Sequence, residues 1–359
     1  MNLQKAIEPQ NNRQVLILGP CSAESPEQLQ SLAKSILDLK PDLVRAGVWK
    51  PRTRPGQFQG KGEPALEWLT DLKQEFGLKV CTEVANPKHV ELCLKAGIDV
   101  LWIGARTTVN PFYVQEIAEV LRGTDIPILV KNPMNPDLAL WQGAIERFYA
   151  VGIQRLAAIH RGFSFYGNSI YRNVPRWQIP IELKRQWPEI QLLADISHIS
   201  GHPENHLEIA QIAIDLHYDG LMIEVHPDPQ NALSDADQQV TPEFLKEGIL
   251  NKLIYRKHKT ENQIFNQQIE NIRSKIDGLD QQILKILSER MALARQIGIE
   301  KNKESISIFQ PDRWNQIVGQ MLDMAKEYSL SEEFIFSLIE AIHIESIHHQ
   351  SETMNRKHR

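Results

Sequence analysis

The sequence predicts an α/β protein in two parts, a (β/α)8 barrel followed by an all-helical domain, and three observations carry that expectation. Eight short apolar runs recur through the first 250 residues with helix-like stretches between them. Each run ends in a residue able to hold a metal or an anion, and beyond about residue 250 the periodicity changes from buried strand to amphipathic helix.

The runs cover residues 15–21, 43–50, 79–84, 100–106, 127–131, 156–161, 192–198 and 220–224. Most are rich in Val, Ile and Leu without strict alternation, the pattern of strands buried on both faces of a parallel sheet. Eight such strands imply a closed barrel, and barrel active sites lie at the C-terminal face, so polar residues at strand ends read as chemistry rather than packing. Those ends supply Cys21, Lys50, Glu83, Arg106, Lys131, Arg161, His198 and Glu224. A short helix over residues 242–247 is expected to close the barrel domain, residues 1–250.

Residues 251–263 are polar and Lys-rich and read as a linker, 264–353 as the helical domain and 354–359 as a tail. From Asn262 onward, Ile269, Ile272, Ile276, Leu279, Ile283, Ile286, Met291 and Ile297 fall on one helical stripe. A break over residues 303–311 precedes a second helix over 311–327, and a turn leads into a third over 332–350. Pro311 suits a first-turn position and Ser331 an N-cap. The first helix is too long for the other two to cover, which suggests pairing with a second copy as a homodimer or higher homo-oligomer.

Composition narrows the function class. A chain of 359 residues, 42% hydrophobic, can bury a large core, and its net charge of −5 argues against nucleic acid or an anionic membrane as a general partner. The polar first fourteen residues have no apolar leader core, no run approaches membrane-spanning length, and three scattered cysteines form no disulfide framework. A soluble cytoplasmic enzyme is expected, with Cys81 and Cys93 as core thiols.

Two constellations gather at the predicted barrel rim. Cys21, His198, Glu224 and Asp235 lie on or just after strands one, seven and eight, which become neighbours on closure. A thiol, an imidazole and two carboxylates suit one divalent transition metal ion (Mn2+, Fe2+, Co2+ or Zn2+) better than Mg2+ or Ca2+. Taken singly, a strand cysteine is usually a small hydrophobe; it is the agreement of position and chemistry that points to ligands. Arg45, Lys50, Arg52, Arg106, Lys131 and Arg161 form the second set, enough positive charge for two phosphates and a carboxylate.

The motifs Gly19-Pro20-Cys21-Ser22, Arg45, Lys50-Pro51-Arg52-Thr53, Ile103-Gly104-Ala105-Arg106, Lys131, His160-Arg161-Gly162, Asp195-Ile196-Ser197-His198 and Glu224-Val225-His226-Pro227 through Ser234-Asp235 resemble type I 3-deoxy-D-arabino-heptulosonate 7-phosphate (DAHP) synthase. The likeness is greatest to the subgroup allied with 3-deoxy-D-manno-octulosonate 8-phosphate synthase. That second enzyme has an Asn-containing Lys-Ala-Asn-Arg-Ser segment where this chain reads Lys50-Pro51-Arg52-Thr53. The resemblance implies phosphoenolpyruvate and erythrose 4-phosphate as substrates and a metal-dependent condensation. It puts Arg106, Lys131 and Arg161 on phosphoenolpyruvate, Arg45 and Lys50 near its carboxylate, Lys50 as general acid, and Arg52 and Thr53 on the aldose phosphate. Glu83 would orient Lys50 or the water.

In the helical domain Arg273, Arg290, Lys301, Arg313, Ser346 and Gln350 resemble the set carried by the all-helical chorismate mutase family, over about residues 264–352. That family rearranges chorismate to prephenate in interlocked dimers. Arg273 and Arg290 stand nearly five helical turns apart, too far to serve one small ligand on a straight helix. The resemblance puts Arg273 of one chain with Arg290 of the other on the two carboxylates, and Lys301 and Gln350 on the ether oxygen. Where the family commonly carries Asp and Glu for the substrate hydroxyl, this chain has Gln310 and Trp314. Two alternatives stand beside this reading: a helical domain that is a non-catalytic dimerising sensor of chorismate or prephenate, and a barrel that takes arabinose 5-phosphate. The chain enters its first strand at Val15, so feedback control is expected to run through the C-terminal domain.

Overall fold

Eight parallel strands close on themselves in the computed structural model of the chain, which describes residues 1–9, 13–52, 54–167, 169–257 and 259–355. They are β1 (Val15–Gly19), β2 (Leu43–Arg45), β3 (Val80–Val84), β4 (Val100–Ile103), β5 (Ile128–Lys131), β6 (Leu156–His160), β7 (Gln191–Asp195) and β8 (Gly220–Glu224). Each pairs with its sequence neighbours, and β1 closes the ring on β8 with Gly19 opposite Glu224. The helices between them are α1 (Pro26–Ile36), α2 (Pro64–Phe76), α3 (Pro87–Ala96), the one-turn α4 (Ala105–Thr108), α5 (Pro111–Val120), α6 (Leu138–Ala150), α7 (Gln178–Gln186), the short α8 (Ile196–Ser200) and α9 (His206–Asp215).

Local signals explain the helix starts. Ser25, Asn86, Asn110 and Asp137 accept backbone N–H bonds as N-caps of α1, α3, α5 and α6, and proline occupies the first turn of α1, α2, α3 and α5. The helix expected over 242–247 starts where expected and continues as a π-helix over Phe244–Ile249.

Side-chain parity along the strands builds the site. Leu43, Cys81, Trp102, Leu129, Ile159, Leu193 and Met222 form one apolar cluster, separate from the larger core that packs strands against helices. Two residues further along their strands stand Arg45, Glu83, Lys131, Arg161, Asp195 and Glu224. With a period of two, the same face that fills the barrel floor turns charged at the mouth. Gly19 makes that turn possible in β1: its φ is +147°, and a Cβ there would lie 2.0 Å from the Arg45 carbonyl oxygen.

The chain forms two compact units, Met1–Arg256 and Lys257–Arg359. The first part of the expected linker is tied to the barrel unit, with Ile254 bonded through N–H and carbonyl to the Gln211 side chain and Arg256 paired with Asp215.

The second unit comprises α10 (Gln263–Lys303), α11 (Pro311–Glu327) and α12 (Glu332–Asn355). Only the C-terminal half of α10 contributes buried residues, Met291, Ala294 and Gly298. Ala325, Ile335 and Ile339, with Trp314, Val318, Met321 and Leu322 against them, form a small core between α11 and α12. The apolar stripe of the first half of α10 is bare: Ile272, Ile276, Leu279 and Ile283 are each 50% or more exposed. That stripe stabilises nothing in a single copy.

Candidate active sites

The mouth of the barrel holds a cavity of about 240 Å³ whose lining includes Lys50, Arg52, Glu83, Arg106, Lys131, Arg161, His198 and Asp235. Several of the expected site residues lie beyond the observed strand ends: Cys21 is two residues past β1, Lys50 five past β2, and Arg106 and His198 sit in α4 and α8. The ladders stop early because the chain turns into short helices and loops once inward positions become charged. Thr53 lies outside the described residues.

At the base of the cavity a buried charge network joins four strands. Arg45 Nη2 lies 2.9 Å from Glu224 Oε1 and its Nη1 is 3.8 Å from Asp195 Oδ2, while Lys131 Nζ donates to the same Asp195 oxygen at 2.6 Å. All four side chains are 5% exposed or less. The guanidinium of Arg45 and the ammonium of Lys131 also face the Trp102 ring, at 4.9 and 5.7 Å from its centroid. Burial alone would raise the Asp195 carboxyl, yet His198, Lys131 and Arg45 together hold it well below the usual carboxylate range. Burial pushes the Lys131 ammonium down, with Asp195 opposing.

Arg161 is held from both sides. Its backbone N–H donates to Asn132 Oδ1 at 2.7 Å and its Nη1 to Asn173 Oδ1 at 2.6 Å. Burial depresses its guanidinium to about 10. The preceding His160 is fully buried and burial lowers it to about 3, so the neutral ring bridges Tyr218 Oη at 2.9 Å and the Pro175 carbonyl at 2.6 Å. Glu83 lies against Gly104, where a Cβ would come within 2.0 Å of its Oε1.

The four expected metal ligands reach the same mouth as two pairs. Cys21 Sγ donates to Asp235 Oδ2 at 3.1 Å and accepts from Lys50 Nζ at 3.0 Å. Burial, with Glu224 second, pushes the Cys21 thiol up to about 12. His198 Nδ1 stands 3.0 Å from Asp195 and 3.8 Å from Glu224 Oε1. Among the described residues no three His, Cys, Asp or Glu side chains stand close enough to close around one ion. Asp235 is instead paired with Arg52 and Arg172 at 3.3 and 3.0 Å. The donors still fit a cation chemically. Glu224 Oε1 is buried without a hydrogen-bond partner, its approach to Arg45 being outside hydrogen-bond geometry, and Asp195 fixes His198 through Nδ1, leaving Nε2 to ligate.

Three contributors were absent from the expected sets. Asp195 stands in the quoted Asp195-Ile196-Ser197-His198 motif, and its parity with Leu193 marks it as inward-facing. Gln238 donates to Glu224 Oε2 at 2.5 Å, and Arg172 pairs with Asp235 and hydrogen-bonds Gln238. Arg172 comes from a loop and Gln238 from a single 3-10 turn over Ala236–Gln238, and neither carries a strand or helix period.

In the helical unit Arg290 donates to Ser346 Oγ, and Lys301 Nζ donates to the Ile308 carbonyl at 2.5 Å. Gln350 is buried with its Oε1 unpartnered, against Gly298 of α10. Arg290, Ser346 and Gln350 thus lie where α10 and α12 pack, while Lys301, near the end of α10, holds the loop that precedes α11. Arg313 is exposed and bonds Gln316. Arg273 lies in the bare half of α10, paired only with Glu270 at 2.6 Å among the contacts described. Gln310 is an exposed N-cap position without a side-chain cap bond. The Trp314 ring lies tilted against that of His343 with centroids 4.3 Å apart.

Residues 2–254 match the DAHP synthetase I family, and residues 272–351 match chorismate mutase type II. The chain is 29% identical over 236 residues to the phospho-2-dehydro-3-deoxyheptonate aldolase of Thermotoga maritima, covering 65% of this chain and 67% of that protein. A 2-dehydro-3-deoxyphosphooctonate aldolase of Nitratidesulfovibrio vulgaris is 26% identical over 239 residues, 62% of this chain and 85% of that protein. A crystal structure of the Thermotoga maritima DAHP synthase superposes with a TM-score of 0.60 at 27% identity, covering 66% of this chain and 67% of that one. A truncated form of the synthase from the same organism gives 0.57 at 25% identity, covering 66% and 84%.

Proposed function

We propose a division of labour for a chain that belongs to the DAHP synthetase I family: the barrel condenses phosphoenolpyruvate with erythrose 4-phosphate, and the helical unit converts chorismate to prephenate. The observation that carries the first activity is the convergence of Lys50, Arg52, Arg106, Lys131 and Arg161 on one cavity that also holds His198 and Asp235. Two anionic substrates need that charge, and holding both by their remote groups sets the reacting carbons in place before the chemistry.

Arg106, Lys131 and Arg161 hold phosphoenolpyruvate, with Arg45 and Lys50 toward its carboxylate, and Arg52 and Thr53 hold the aldose phosphate. C3 of phosphoenolpyruvate forms a bond to the aldehyde carbon, water adds at C2, and phosphate leaves with C–O cleavage. Burial works against the Lys50 ammonium, but the surroundings of Cys21, Glu83 and Glu224 outweigh it and hold the proton. It therefore stands as the proton source for the aldehyde oxygen. DAHP synthases generally use a divalent metal. Here Cys21, His198, Glu224 and Asp235 would hold it, and when bound it supplies Lewis-acid polarisation of the aldehyde.

In the helical unit Arg290, Lys301, Ser346 and Gln350 form one part of the mutase site, and Arg273 of a second copy completes it. Pairing two chains through the bare stripe of α10 covers that apolar face and supplies the missing cation in one step. The dimer acts in the cytoplasm, and prephenate bound by the helical unit restrains the synthase.

The purified chain is expected to release phosphate from phosphoenolpyruvate with erythrose 4-phosphate and far more slowly with arabinose 5-phosphate under the same metal. It is expected to consume chorismate, followed by ultraviolet absorbance, and to lose synthase rate when prephenate is added. Preference for the pentose phosphate would move the barrel to the octulosonate reaction, and chorismate binding without turnover would make the helical unit a sensor. In sedimentation the parent chain should run as a dimer or larger. An Ile276→Glu, Ile283→Glu variant should run smaller and lose chorismate turnover by on the order of 10²-fold, because Arg273 no longer reaches a partner's site.

A further inference from the structure

Between α10, α11 and α12 lies a small cavity lined by Arg290, Trp314, His343 and the apolar side chains of Ile317, Met321 and Ile339. The described lining carries a cation and an imidazole but no carboxylate. His343 Nε2 is buried without a hydrogen-bond partner, an arrangement that is costly unless something supplies the partner. Its ring is fixed from two sides, tilted over Trp314 at 4.3 Å and edge-on to Phe309 at 6.1 Å.

We propose that His343 is a specificity residue of the helical site, its imidazole accepting the hydrogen bond of a ring hydroxyl on a dicarboxylate substrate held by Arg290 and Lys301. The proposal rests on the mutase reading of this unit. A site for such a substrate needs an acceptor for the hydroxyl. The Trp314 indole can only donate, whereas a neutral imidazole offers one nitrogen lone pair. Burial first, then Arg290 and Lys301, lowers the His343 pKa and keeps the ring neutral. Those two cations are the charged groups that act on it, both from α10. The second helix presents the Trp314 ring to it, and the loop before that helix presents Phe309. The stack that removes an acidic side chain from position 314 thereby positions a neutral acceptor one helix away.

The test compares the parent chain with His343→Phe, which keeps an aromatic ring in the stack, and with His343→Gln, which restores polar atoms. With chorismate, H343F should lower kcat/KM about tenfold or more, mainly through KM, since a hydroxyl contact serves ground and transition state alike. H343Q should recover part of that loss. With a chorismate analogue lacking the ring hydroxyl, parent and H343F should be alike. The parent profile of kcat/KM should fall on the acid side as His343 protonates, below the ordinary histidine range, and H343F should lack that limb. Equal behaviour of parent and H343F on chorismate, or an equal ratio on both substrates, overturns the proposal. If the parent binds chorismate without turnover, the mutase reading fails but the same comparison of Kd by calorimetry still decides the role of His343; no binding at all rejects both. Unchanged synthase rate and melting of the helical unit exclude a folding defect.

Discussion

Cys21→Ala is expected to cost the synthase on the order of 10³-fold in kcat, the scale of several kcal/mol of Lewis-acid stabilisation, and to leave chorismate turnover by the same preparation unchanged. The side chain is fully buried, and its sulfur sits between Lys50 Nζ and Asp235 Oδ2. In that setting a thiol pushed up to about 12 by burial is a poor nucleophile and a poor acid. Only a cation strong enough to displace its proton gives it a chemical role. The substitution removes one buried atom, a loss of about 1–2 kcal/mol at most for a small cavity, so the barrel should still fold. Bound Mn2+ or Zn2+ per chain should fall together with synthase rate. Full synthase activity in the variant would remove Cys21 from the ligand set, and loss of both activities would mean that the fold had failed.

Much of this architecture was legible because it is periodic. The eight runs gave eight strands, and the helices of the C-terminal unit begin within a residue or two of Asn262, Pro311 and Ser331, where capping chemistry fixes the start. The residues hardest to read belong to no period. Arg172 reaches Asp235 from a long loop after β6, and Asp235 itself holds a left-handed backbone at φ +46°, a conformation that a strand or helix pattern does not encode. His343 was hidden differently. On α12 it falls among apolar positions, and only the rings of Trp314 and Phe309 around it reveal that its nitrogen is buried without a partner. Asp195 could have been found: the inward parity that runs through Leu193 reaches it two residues later, where the flanking strands β6 and β8 already led to Arg161 and Glu224.

Replacing that aspartate should be the most damaging single change to barrel stability. Asp195→Asn takes a charge from a fully buried network in which Lys131 Nζ lies 2.6 Å away and Arg45 Nη1 3.8 Å away. Glu224 remains to balance Arg45, but Lys131 loses its ion-pair partner and is left with the weaker pull of Glu83. Breaking a buried pair from one side costs about 3–5 kcal/mol, a large part of the roughly 5–15 kcal/mol that holds a domain. With about 2–4 °C per kcal/mol for a unit of this size, the barrel transition should drop on the order of 10 °C in calorimetry, while chorismate turnover persists at temperatures where the helical unit is intact. The cost lies in the stranded charge rather than in the lost bond, which predicts the outcome of a second substitution. Adding Lys131→Met to the variant removes that charge and should return most of the lost stability, while the role proposed for Lys131 on phosphoenolpyruvate predicts that the synthase stays inactive. A double variant no more stable than Asp195→Asn would show instead that the carboxylate acts through His198 and the backbone N–H it caps at the start of α8, and that the buried ammonium finds solvent unaided.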